Sequence, residues 1–198
     1  MRATVPFVGL TGGLGAGKST ALAALGRLGA EVISSDAVVH QLYEGAELRA
    51  AVIERFGAEV APGGVVDRAA VARRAFASAE DRAWLEATVW PLVGAHVAAW
   101  LERVRAHSPP PSAAVVEVPL LFEAGLGELY DATIAVVSAE DVRAQRAAER
   151  GHELVDERAA RQLSQQEKAQ RATFVVSNDG SVEELERALS VVLGKLGG

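Results

Sequence analysis

The sequence predicts an α/β fold built on a doubly wound parallel sheet of five strands, and three observations predict it. Short apolar runs alternate with helical patterns along the chain, the arrangement that gives parallel strands with helices on both faces. Several of those runs are apolar throughout, as strands covered on two sides are. A glycine-rich stretch stands between the first run and the first helix.

Val5, Phe7, Val8 and Leu10 form the first strand, with Pro6 confined to its start because a proline cannot donate within a sheet. After Thr20, the positions Ala21, Ala24, Leu25 and Leu28 recur with helical period, and Gly29 is placed to end that helix. Between them, Gly12-Gly13-Leu14-Gly15-Ala16-Gly17-Lys18-Ser19 satisfies every fixed position of the phosphate-loop pattern G-x-x-x-x-G-K-[ST] in its required strand–loop–helix context. Glycines let backbone N–H groups turn inward onto a phosphate, and the helix N-terminus adds positive potential. Lys18 brings a mobile charge to the β- and γ-phosphates, and the Ser19 hydroxyl is suited to Mg²⁺. With 19 glycines among 198 residues, roughly 0.002 chance matches to the pattern are expected in such a chain. One of only three lysines, against seventeen arginines, stands at the position where an ammonium is needed. The sheet is therefore expected to be of the P-loop NTPase type. Gly13, Gly15, Ala16, Gly17, Lys18, Ser19 and Thr20 are its candidate ATP-binding residues.

The second strand, Ala30 to Ile33, leads into Ser34-Ser35-Asp36. Ligands of open α/β sheets lie beyond the carboxyl ends of the strands, so Asp36 either faces the site or caps a helix over 37–43. Residues 37–107 read as a helical insertion. Its helical patterns are Leu48-Val52-Ile53-Phe56, Val71-Ala75 and Val93-Val97-Leu101-Val104, with breaks expected at Pro62-Gly63-Gly64 and at Trp90-Pro91. Trp100 shares a face with the last of these patterns and is expected in a core.

The proline-rich loop at 108–112 returns the chain to the sheet. Residues 113–118 form the third strand, followed by Pro119-Leu120-Leu121-Phe122-Glu123. Glu117 interrupts that apolar strand, where an acid needs a partner or a task, and it is the one acid placed like a magnesium-side carboxylate. Residues 132–137 are the fourth strand. The charged helical stretch 139–171 carries Arg143, Arg146, Arg150 and Lys168. It reads either as solvated helices laced by pairs such as Glu167 with Arg171, or as a lid bringing arginines to the transferred group. Residues 173–176 are the fifth strand, and Asn178-Asp179-Gly180-Ser181 turns into a final helix over 182–196. The expected organisation is a nucleotide core (1–36, 108–138, 172–198), an acceptor region (37–107) and a lid (139–171).

A net charge of −6 argues against a general nucleic-acid binder, and the absence of cysteine removes disulfides and thiolate chemistry. No apolar run approaches the length of a membrane span, and the N-terminus runs straight into the first strand, so a cytoplasmic protein is expected. Asn178 is the one asparagine and Asp179 follows it, which excludes a guanine-reading N-K-x-D. Leu163-Ser164-Gln165-Gln166 does not make a transporter-type L-S-G-G-Q, and no apolar run ends in the acid pair of motor ATPases. A kinase for a small acceptor remains, with a nucleoside monophosphate kinase or another metabolite kinase as the alternative, ahead of a non-kinase ATPase.

From end to end the chain resembles the dephospho-CoA kinases. The matching stretches are 9–20, 32–36, Phe56-Gly57, Val66-Asp67-Arg68, Pro119 to Glu123, Gln162 with Glu167-Lys168, and 176–180. The resemblance implies ATP- and Mg²⁺-dependent phosphorylation of the 3′-hydroxyl of dephospho-CoA. It gives Asp36 the acceptor hydroxyl, and it places Asn178 and Gly180 beside adenine. Arg146 and Arg150 become the phosphate-facing arginines if three residues are missing before Gln162; without that gap Arg143 takes the role. Ser34, His40 and Trp90 stand where the family has an acid, an arginine and a histidine.

Overall fold

The computed structural model describes residues 5–143 and 162–197. The five strands β1 (Phe7–Gly12), β2 (Glu31–Ser34), β3 (Ala114–Glu117), β4 (Ala132–Val137) and β5 (Phe174–Ser177) form one sheet in the order β2-β3-β1-β4-β5. Every neighbouring pair is parallel. From β1 the chain crosses over β3 to reach β2, whereas from β3 it passes to the other side of β1, so the sheet reverses direction at the β1/β3 junction. Ligands of open parallel sheets sit at the carboxyl end of such a switch point.

The helices are α1 (Lys18–Arg27), α2 (Ser35–Glu44), α3 (Ala46–Phe56), α4 (Arg68–Phe76), α5 (Ala79–Arg105), α6 (Gln165–Arg171) and α7 (Val182–Leu196). Strand side chains alternate between faces, and here the alternation separates two chemistries. Val8 and Leu10 of β1 join Val115, Ile134, Val136 and Val176 in a buried cluster with Ala21, Ala24 and Leu25 of α1 and Leu185, Leu189 and Leu193 of α7. Thr11 points the other way, toward Lys168 of α6. Helix α1 ends in a Schellman motif: Ala30 N donates to Leu25 O and Gly29 N to Gly26 O, with Gly29 at φ 89°. Ser181 and Glu184 make a reciprocal capping box at the start of α7.

The chain divides into two compact units, one formed by residues up to Ser34 with those from Leu101 onward, the other by Ser35–Trp100. The second unit has its own core of Tyr43, Leu48, Val52, Phe56, Val60, Val71, Ala75 and Val89. Phe56 and Trp84 meet edge to face at 5.4 Å, and Arg55 lies 5.7 Å over the Trp84 ring. Asp67 caps α4 through the N–H groups of Ala69 and Ala70. Trp100 is buried, as its helix face predicts, whereas Trp90 is exposed.

Two local expectations are corrected. Pro91 does not break its helix, because α5 runs through it for 27 residues. A helical proline costs a hydrogen bond to the residue four back; here both Pro91 and Ala87 lie on the exposed side of α5, where the freed carbonyl is open to solvent. The anticipated Glu167–Arg171 pair gives way to a capping box, in which the Glu167 carboxylate accepts from Ser164 N at 2.8 Å and from Ser164 Oγ at 2.8 Å. Those bonds from Ser164 hold the Glu167 carboxyl below its ordinary value, with Arg171 a lesser influence.

Candidate active site

The phosphate loop leaves β1 at Gly12 and enters α1 at Lys18, at the carboxyl edge of the switch point. Gly15 (φ 75°) and Gly17 (φ 88°) take left-handed backbone, which costs other residues about 1–2 kcal/mol. A side chain at Gly15 would also stand 2.7 Å from the Arg143 carbonyl oxygen, so this turn admits nothing larger. Gly17 is the N-cap of α1; no side chain caps the helix and no acid stands in its first turn. Its first amides are thus left to an anion.

Lys18 Nζ donates to the carbonyls of Gly12 at 3.0 Å and Gly13 at 3.1 Å, so the ammonium lies back over the loop it serves. Ser19 is exposed in the first turn of α1. The half-buried Glu117 ends β3, in register with Leu10 of β1 and Ser34 of β2. Among the described residues no group of three His, Asp or Glu side chains is gathered around a metal position.

The loop is held from behind by the carboxyl ends of β4 and β5. Buried Asn178, just past β5, donates Nδ2 to the Ala16 carbonyl at 2.9 Å. Gln165 pairs with Ser138 in both directions, accepting from its N–H and donating to its carbonyl at 2.8 Å each. Asp179 accepts from Ala139 N at 2.5 Å and from Ser177 Oγ at 2.6 Å. Arg143 donates Nε to the Leu14 carbonyl at 2.9 Å and Nη1 to Glu140 at 2.6 Å, which places its guanidinium against the loop.

Of the residues singled out in the sequence, Gly13, Gly15, Ala16, Gly17, Lys18 and Asn178 come together at this loop, joined by Arg143. Asn178 reaches the loop backbone itself, and Gly180 lies exposed in the turn before α7. Asp36 lies in the other unit, exposed in the first turn of α2; that helix already starts at Ser35, so Asp36 is not the residue preceding it. Arg146 and Arg150 lie outside the described residues. Sequence reasoning missed the roles of Gln165 and of Lys168, the latter one charge of a stretch that reads as either solvated or a lid. Lys168 is in fact fully buried, 2.9 Å from Glu123 Oε1. The available signals were a second lysine in an arginine-rich chain and an acid ending an apolar run.

A parallel sheet with a phosphate loop at its switch point defines a P-loop nucleotide-binding fold. The chain belongs to the dephospho-CoA kinase family, whose model matches residues 6–184. A dephospho-CoA kinase of Anaeromyxobacter dehalogenans is 39% identical over 196 residues, covering 96% of this chain and 92% of that one. One from Thermus thermophilus is 37% identical, with 97% and 92% covered. Among solved structures, a Thermus thermophilus protein superposes with a TM-score of 0.83 at 36% identity, over 98% of this chain and 100% of its own. A Campylobacter jejuni dephospho-CoA kinase, 22% identical with a TM-score of 0.68 and 96% of each chain covered, shares the fold.

Proposed function

We propose that this chain transfers the γ-phosphoryl group of ATP to the 3′-hydroxyl of dephospho-CoA, the last step of coenzyme A synthesis. The observation that carries the reading is the phosphate loop at the switch point of a chain matched to that family over residues 6–184. Both substrates are water-soluble metabolites, so the reaction belongs in the cytoplasm, and no helix among the described residues is long and apolar enough to cross a membrane. With a net charge of −6, the phosphates it binds belong to these small molecules rather than to a nucleic acid.

Phosphoryl transfer asks a protein mainly to position groups and to stabilise charge. The amides from Gly13 to Thr20 would cradle the polyphosphate, and Lys18 would leave its two carbonyls to follow charge onto the leaving β-phosphate. Asn178 would act on the nucleotide through the Ala16 backbone, with Gly180 bordering the base. Asp36 would align the acceptor hydroxyl and take its proton as the bond to phosphorus forms. Arg146 and Arg150 would meet the transferred group, with Arg143 bracing the loop.

The donors present fit Mg²⁺: a hydroxyl at Ser19 and a carboxylate at Glu117 are hard oxygen ligands. An ion that keeps its waters and takes phosphate oxygens needs no three-residue cage. When bound, the ion neutralises charge on the phosphates during transfer.

The test is ADP release with ATP, Mg²⁺ and a panel of dephospho-CoA, AMP, CMP and shikimate. Dephospho-CoA should be turned over alone. Comparable turnover of AMP or CMP with none of dephospho-CoA would move the chain to the nucleoside monophosphate kinases, and hydrolysis indifferent to acceptor would make it an ATPase.

A further inference from the structure

Lys168 is the largest fully buried side chain among the described residues. Its Nζ donates to the Pro119 carbonyl at 2.5 Å and lies 2.9 Å from Glu123 Oε1 and 3.5 Å from Thr11 Oγ1. The Thr11 hydroxyl donates to the same Pro119 carbonyl at 3.3 Å. Glu123 Oε1 also accepts from Leu163 N at 2.8 Å, while its Oε2 is buried with no hydrogen-bond partner among the described residues. Burial pushes the lysine's affinity for its proton down, and the Glu123 carboxylate opposes that shift.

A buried ion pair with an unsatisfied oxygen is a poor way to add stability, since apolar side chains of similar volume do as well or better. What they cannot supply is direction. This ammonium fixes a carbonyl two residues beyond Glu117 and a hydroxyl immediately before Gly12. It therefore ties the exit of β3 to the entrance of the phosphate loop, and through Glu123 it ties both to the chain ahead of α6.

We propose that Lys168 is a positioning residue for phosphoryl transfer: acting through Pro119 and Thr11, it sets the spacing between the phosphate loop and the Glu117 end of β3, with Glu123 aiming its ammonium. This rests on the kinase reading, and it assigns a task to a group that touches neither nucleotide nor acceptor. The nucleotide is held by loop amides and Lys18, so losing the pair should act on kcat rather than on ATP affinity.

The experiment replaces both partners at once, Lys168→Met with Glu123→Leu, so that no charge is left buried alone. The double variant should melt cooperatively near the wild-type temperature. Its kcat should fall by about 10²-fold, the scale of a misplacement near 1 Å, with KM for ATP changed less than about threefold. Glu123→Gln keeps an oxygen for Leu163 N and Lys168, and it should recover most of the turnover. A folded double variant with wild-type kcat would reduce the pair to a packing element. If the double variant does not fold, Thr11→Val decides, since it removes only the hydroxyl between Lys168 and Pro119. A loss of about 10-fold in kcat at unchanged melting temperature supports the proposal, and unchanged kcat overturns it. Wild-type turnover across the acceptor panel tests the kinase reading separately, and the variant-to-wild-type ratio is read with whichever acceptor the wild type uses.

Discussion

Asn178 donates its side-chain N–H to the carbonyl of Ala16 at 2.9 Å, across 162 residues of sequence. Both the amide and Ala16 are buried, so the end of the last strand holds the loop that follows the first. Removing the donor leaves a buried carbonyl unsatisfied, at a cost of about 1–3 kcal/mol. Asn178→Ala should raise KM for ATP by roughly tenfold with a smaller change in kcat, because the loop loses its preset shape while its charges remain. Asn178→Asp should be worse than alanine, since it sets a carboxylate oxygen against a carbonyl oxygen. ATP titrations of the two variants check both the size and the order.

Lys18 should be separable from folding. Its Nζ donates to the loop carbonyls of Gly12 and Gly13, and the residue is not part of the buried core. Lys18→Ala should keep the wild-type circular dichroism and melting temperature, and should lose at least about 10³-fold in kcat as the charge proposed to meet the phosphates disappears. Near-wild-type turnover in a folded variant would remove the loop from the reaction.

Asp36 is exposed and lies inside the first turn of α2, and no described residue donates to its side chain. Asp36→Asn should cost about 10²–10⁴-fold in kcat, the range for a general base, with ATP affinity and melting temperature unchanged. A small helix-terminal loss of stability with full activity would instead limit Asp36 to the helix end. Steady-state kinetics and a melt on this one variant separate the outcomes.

Tyr130 gives the stability a pH signature. Burial pushes its phenol up to about 12 from the ordinary 10.0, and its ring packs on Phe7 at 4.6 Å. Below pH 10 the phenol is neutral in both folded and unfolded chains, so its contribution is fully present. Between pH 10 and 12 the unfolded chain ionises while the folded one stays neutral, so stability falls by up to roughly 3 kcal/mol. Tyr130→Phe keeps the ring and should lose that part of the alkaline slope in denaturant titrations. Only one other tyrosine, Tyr43, is present, and burial raises it as well, against an opposing Arg68. Phenolate absorbance in the native protein should therefore appear late, and its latest component should vanish in Tyr130→Phe.

Much of this was legible in the sequence where local chemistry decides the outcome. The strand Ala132–Val137 and the helix Val182–Leu196 fall where apolar runs and turn residues put them. The loop Gly12–Ser19 sits between its strand and its helix because glycine, lysine and serine have few other reasons to occur in that order. What was not legible depends on distant partners. Pro91 reads as a break, yet a proline on a helix's exposed side costs a bond that water can replace. Lys168 reads as one charge of a stretch that is either solvated or a lid, because its burial depends on Pro119 and Glu123, far off in the chain. Gln165 carries no local signal at all; its bonds to Ser138 exist only once α6 lies on the sheet.

The central claim is that a phosphoryl group passes from ATP to one hydroxyl of dephospho-CoA. Mass spectrometry and phosphorus NMR of the products made with ATP, Mg²⁺ and dephospho-CoA test it most directly. The account predicts ADP together with an equal amount of a product one phosphoryl group heavier than dephospho-CoA, phosphorylated at the ribose 3′ position and identical to coenzyme A. ADP with free phosphate and unchanged dephospho-CoA, or a phosphate at any other hydroxyl, would contradict it.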